Sequence, residues 1–136
     1  YSAYTIMRAA EDPFDVLYDD AINLARKLVA EERRRAIKDH QAIDLNDLIR
    51  VWPIESEYKI ERGLAWRAEQ VDHKTTIVLN ETRGSISIRG VLASLIYEEL
   101  GKKGYEIGGH PGFGGGVLKE TQDLKTLLRD LKEIKI

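Results

Sequence analysis

"TTIVLNETRGSISIR", residues 75–89, carries two strand signals on either side of a turn. Thr75–Asn80 is apolar and β-branched, the composition of a buried strand. "NETRG", residues 80–84, is turn chemistry, with Asn first and Gly last. Ser85–Arg89 then alternates strictly, which puts Ile86 and Ile88 on one face and Ser85, Ser87 and Arg89 on the other. Because the isoleucines must be buried, Ser87 and Arg89 face solvent or a cleft.

Reading outward from this pair gives helices on both sides. Upstream, "GLAWRAEQV", residues 63–71, forms a short helix with Leu64, Ala65, Ala68 and Val71 inward. Downstream, "GVLASLIYEELG", residues 90–101, forms another with Leu92, Leu95, Ile96 and Leu100 inward and Gly101 as its C-terminal cap. "GVLKE", residues 116–120, reads as a short strand. Thr121 caps a last helix carrying Leu124, Leu127, Leu128, Leu131 and Ile134. The order is helix, strand, strand, helix, Gly-rich loop, strand, helix, which predicts an α/β fold with a small mixed β-sheet and flanking helices.

Farther upstream, Pro53 and the polar residues of "WPIESEYK" interrupt the pattern. Before them lies a long helix. Asp12 and Pro13 form its start, with Asp15 in the first turn. Leu17, Ala21, Leu24, Ala25 and Leu28 make an apolar stripe. In "EERRRAIKDH" Glu31 pairs with Arg35 one turn on, and Arg33, Arg34 and Arg35 are either a solvated helix end or a phosphate-facing patch.

Six of the chain's eleven glycines fall in "YEIGGHPGFGGGVLKE", residues 105–120. Successive backbone N–H groups without side chains form a concave anion site. His110, held extended by Pro111, adds a donor, and Arg89 adds a bidentate phosphate contact. Each has a plainer reading: a tight turn, a structural hydrogen bond by His110, and a surface ion pair for Arg89. The stretch is no P-loop, since Glu120 follows Lys119. His40 and His73 stand alone on charged stretches, and no spacing points to a metal site or to a Ser-His-Asp arrangement.

Composition bounds the rest. At 136 residues the chain is long enough for a real core. It has no cysteine, which excludes disulfides and thiolate metal sites and fits a cytoplasmic protein. No apolar run is long enough to span a membrane. A net charge of −2 offers no bulk attraction to nucleic acid. A high charged fraction with a single methionine hints at a heat-adapted source. Starting at Tyr1 with a helix that reads as cut from something longer, the chain is expected to be a fragment.

In sequence and order, "GLAWRAEQVDHKTTIVLN", "GSISIRG", "VLASLIYEELG" and "GGHPGFGGGVL" resemble the DHHA1 domain of the DHH phosphoesterase superfamily, C-terminal in RecJ-like nucleases and in oligonucleotide phosphodiesterases, with an archaeal RecJ-like nuclease the expected parent. The resemblance implies a helical connector from an upstream DHH domain over residues 1–55 and a substrate-binding domain over 56–136. It implies substrate gripped by Arg89, Gly108, Gly109 and His110, with Ser87, and no catalytic residue, metal or cofactor in this fragment. Mn²⁺ or Mg²⁺ would sit in the missing DHH domain. The implied ligands are single-stranded DNA or RNA, or a short oligonucleotide. A related expectation is a replication scaffold without catalysis that binds GINS, in the manner of Cdc45; another is a phosphoesterase acting on cyclic dinucleotides. The chain departs from the family loop at Ile107, Gly112 and Phe113. Phe113 is either a stacking platform for a base or a core filler, and the core is the preferred reading.

Overall fold

The structure is a computed structural model and describes residues 16–39 and 41–135. The expected helix start at Asp12, Pro13 and Asp15 lies outside them, as do His40 and the side chain of Leu17. Two compact units divide within helix α1 (Val16–Asp39), after Arg35. In α1 the expected stripe is only partly buried. Ala25 is 6% exposed, but Leu24 and Leu28 are 59% and 57% exposed. Helical periodicity puts residues on a common face; burial also needs a facing surface. Arg35 pairs with Glu32, three residues back, rather than with Glu31. Among the described residues, no helix is long and apolar enough to cross a membrane.

The second unit is a six-stranded mixed sheet with helices on both faces. In chain order it holds β1 (Ile43–Asp44), β2 (Ile49–Ile54), α2 (Glu61–Asp72), β3 (Thr75–Asn80), β4 (Ser85–Arg89), α3 (Ala93–Lys102), β5 (Glu106–His110), β6 (Phe113–Val117) and α4 (Leu124–Lys132). The strand order is β1-β2-β3-β4-β6-β5, with β2 and β3 parallel and the other neighbours antiparallel. The boundary expected after residue 55 therefore falls inside this unit, because β1 and β2 belong to the same sheet as the rest.

Alternation divides the core in two. Ile49, Val51, Ile77, Leu79, Ile86 and Ile88 pack on one face against Ile96 and Leu100 of α3 and Leu127 and Leu131 of α4. Ile54, Val78 and Trp52 pack on the other against Ile60 and against Leu64 and Ala65 of α2. β3 is covered on both sides, with Ile77, Val78 and Leu79 fully buried. Burying a side chain of this size contributes roughly 1.5–3 kcal/mol.

Several expectations need correction at element ends. Val71 is 83% exposed, since it sits at the end of α2 beyond the sheet. Gly101 lies inside α3; the left-handed turn falls to Gly104, at φ 94, where Tyr105 N–H returns to the Leu100 carbonyl. The last helix is capped by Asp123 rather than Thr121, because residues 119–122 close their own turn through Gln122. The largest difference is the glycine segment. It is a β-hairpin, β5 and β6, turning at Pro111-Gly112 with Gly112 at φ 89. That sign of φ is what a Pro-Gly type II turn requires.

Candidate functional site

The register of the sheet brings distant residues into rows. Arg89 on β4 lies opposite Phe113 on β6, which lies opposite His110 on β5. Two residues along, Ser87, Gly115 and Gly108 form the next row on the same face. Directly paired residues share a face, so all six stand on the side of the sheet away from α3 and α4. Helix α2 covers this face over β3 and part of β4. Beyond its edge the face is bare, because the strands there carry glycine.

A cleft of about 230 Å³ results, lined by Arg62, Ser87, Ile88, Arg89, Phe113 and the glycines 108, 109, 114 and 115. It is smaller than the roughly 300–1,000 Å³ of an enclosed ligand pocket, so it grips part of a ligand rather than engulfing one. A second groove, lined by Glu69, Gly90, Val91, Pro111 and Gly112, shares Arg89 and Phe113 with the first. The sequence-predicted Ser87, Arg89, Gly108 and Gly109 thus converge. His110 lies beside them: its ring packs on Phe113, centroids 5.0 Å apart, and does not line the cleft. It makes no side-chain hydrogen bond among the described residues, so the reading of a structural hydrogen-bonder does not hold.

The glycines differ in what they are for. Gly114 approaches Tyr97 of α3, and a Cβ there would lie 2.8 Å from its ring. At Gly109 a Cβ would meet the Gly114 Cα at 2.5 Å, and at Gly116 the Ile107 Cα at 2.8 Å. These three glycines let backbones touch. Around Gly108 no described residue stands within 4 Å of a Cβ. Nothing in the described residues requires that position to be bare, and its bareness opens the cleft. The expected concave loop of free amides is absent, because amides of β5 and β6 are drawn into the ladder of the hairpin. What glycine supplies is an unobstructed sheet face.

Phe113 is half-buried and faces the cleft rather than the core, since it shares a face with Arg89 and not with Ile88. Both Arg89 and Arg62 stand over its ring, with guanidinium carbons 5.5 Å and 5.6 Å from the centroid. Neither arginine forms an ion pair with a carboxylate among the described residues. Arg62 was not singled out in the sequence; helical phase places it outward, and only its neighbour Glu61 marks the position. Glu61 is 6% exposed and accepts hydrogen bonds from Asn80 Nδ2 at 2.6 Å and Ser85 Oγ at 2.8 Å. These bonds tie the first turn of α2 to the β3–β4 turn and fix the backbone from which Arg62 projects. Among the described residues, no three His, Asp or Glu side chains are grouped to hold a metal ion.

No protein-family model matches the chain, and no curated protein does. Among solved structures it is similar to a DHH domain protein, a member of the s1p family of ribosomal proteins, at TM-score 0.55 and 13% identity over 88% of this chain. It is also similar to an uncharacterized protein from Helicobacter pylori G27, at TM-score 0.42 and 18% identity over 91%. The chain spans about a third of the length of either structure, 34% and 35%. The first likeness shows that the fold is one found within a DHH domain protein.

Proposed function

We propose that this domain binds the phosphates of a nucleotide or a single nucleic-acid strand, as the substrate-gripping part of a RecJ-like exonuclease or oligonucleotide phosphodiesterase. Bond cleavage in this reading belongs to a metal-binding DHH domain outside this chain. One observation carries it: Arg89 projects over Phe113 without a carboxylate partner among the described residues, beside the bare strand at Gly108. A guanidinium offers planar, bidentate donors suited to a phosphoryl group. An aromatic ring next to it stacks on a base whatever the base's identity. Ser87 adds a hydroxyl at the cleft floor, and His110 extends the aromatic surface through its contact with Phe113. With net charge −2, the attraction is local to this cleft rather than spread over the surface.

Titrating the 136-residue chain with a fluorescent single-stranded oligonucleotide tests this. Arg89→Gln should weaken binding at least tenfold, about 1.4 kcal/mol, close to the lower end of the roughly 1.5–3 kcal/mol of a hydrogen bond to a charged group. Equal binding by wild type and Arg89→Gln would defeat the assignment.

A further inference from the structure

We propose that Arg62 is a second anion-binding arm of the same cleft, so that its ligand carries two neighbouring phosphates: a phosphorylated dinucleotide or a longer strand, not a mononucleotide. The inference rests on the phosphate-binding reading above.

Two guanidiniums stand over one aromatic ring, each within 5.6 Å of its centroid, and no carboxylate pairs with either among the described residues. Like charges brought together repel, and an anion between or beside them relieves the repulsion. One phosphate is satisfied bidentately by Arg89 alone. A second arm adds binding free energy when the ligand brings a second negative group within its reach.

The surroundings show which way that group lies. The groove beyond Gly90 contains Glu69, a carboxylate that repels an anion. Toward Arg62 the described lining is glycine, serine and isoleucine, with no acidic side chain among the described residues. The two arginines also come from different elements. Arg89 is held by the ladder of β4, and Arg62 by a helix turn fixed through Glu61 to Asn80 and Ser85. The fold thus fixes the two backbones from which these side chains start, and both reach the same ring from different elements rather than from one loop.

The discriminating experiment compares thymidine 5′-monophosphate with 5′-phosphorylated dithymidylate by isothermal titration, across a series of salt concentrations. The wild-type chain should prefer the dinucleotide, with a steeper salt dependence, because one more phosphate is engaged by a cationic side chain. Arg62→Gln should abolish that preference and the extra slope while leaving mononucleotide affinity within about twofold, a difference of roughly 0.4 kcal/mol. Arg62→Lys should recover the slope, since the charge is kept. Equal losses for both ligands in Arg62→Gln would mean that both arginines share one phosphate, and would overturn the proposal. No loss for either would overturn it too. Failure of the underlying reading looks different: wild type then binds neither ligand, or Arg89→Gln binds both as well as wild type does. Thermal melting of each variant confirms that the fold is intact.

Discussion

At Gly116 and Gly108, on paired strands of one hairpin, a single added methyl group meets opposite surroundings. A Cβ at Gly116 runs into the Glu106 carbonyl and the Ile107 Cα across the ladder. A Cβ at Gly108 points into open space above the cleft. Gly116→Ala must therefore push the strands apart, and should cost about 1–3 kcal/mol, as overpacking does. Gly108→Ala should leave the melting temperature unchanged or raise it slightly, because alanine has less unfolded-state freedom to lose. It should nonetheless weaken nucleotide binding, since its methyl group occupies the bare face beside Arg89. Melting curves and ligand titrations on the same two variants give the answer. Loss of stability in Gly108→Ala would mean that its bareness serves the fold. Composition made the glycines conspicuous but did not separate them. That distinction depends on what lies across the ladder, which no local pattern encodes.

Among the elements, α4 states its start most clearly. Asp123 is extended, accepts the Thr126 N–H at 2.9 Å, and Thr126 Oγ1 accepts the Asp123 N–H in return, a reciprocal cap. The side-chain hydrogen bond from Thr126, then its backbone N–H, hold the Asp123 carboxyl below the usual carboxylate range. A carboxyl with a depressed folded-state value stabilises the fold above its unfolded value, and that contribution is lost as pH falls through the folded one. Acidification below about pH 4, the ordinary Asp value, should thus loosen α4, and Asp123→Asn should flatten this part of the stability curve. Urea melts at pH 3 and pH 6 check it; an unchanged pH slope in the variant would exclude the cap as its source. The strands β3 and β4 and the helices α3 and α4 were legible in the sequence because period and composition agree there. β2 was not, because Pro53 reads as a breaker. Bonds from Thr75 N–H to the Leu48 carbonyl and from Glu81 N–H to the Ile54 carbonyl show that even-numbered residues face β3. Pro53 points to the other side, where β1 pairs only as far as Val51. A proline is tolerated where no partner awaits its missing N–H. The hairpin of β5 and β6 was hidden for the converse reason: glycine disfavours strands locally, and pairing along β4 decides the outcome.

For the sheet unit as a whole, stability should fall from β3 outward. β3 is paired on both edges and buried on both faces, whereas β5 has one neighbour and its Gly108, Gly109 and His110 are exposed. The cleft straddles this gradient. Ser87, Arg89 and Arg62 stand on β4 and α2, next to the core, while Gly108 and Phe113 stand on the hairpin, with His110 beside the cleft. Local opening of the hairpin exposes little apolar surface, since three of the five residues in β6 are glycine, so it requires less free energy than global unfolding. Amide hydrogen exchange should show β3 exchanging last, through global unfolding, and the outer amides of β5 exchanging well before it. Adding a saturating phosphorylated dinucleotide should slow exchange in β5 and β6 far more than in β3, because a ligand that binds only the closed hairpin stabilises it by mass action. Uniform slowing across all strands would mean that the hairpin opens only with the whole sheet. Unchanged exchange in β5 and β6 would place the ligand elsewhere on the surface.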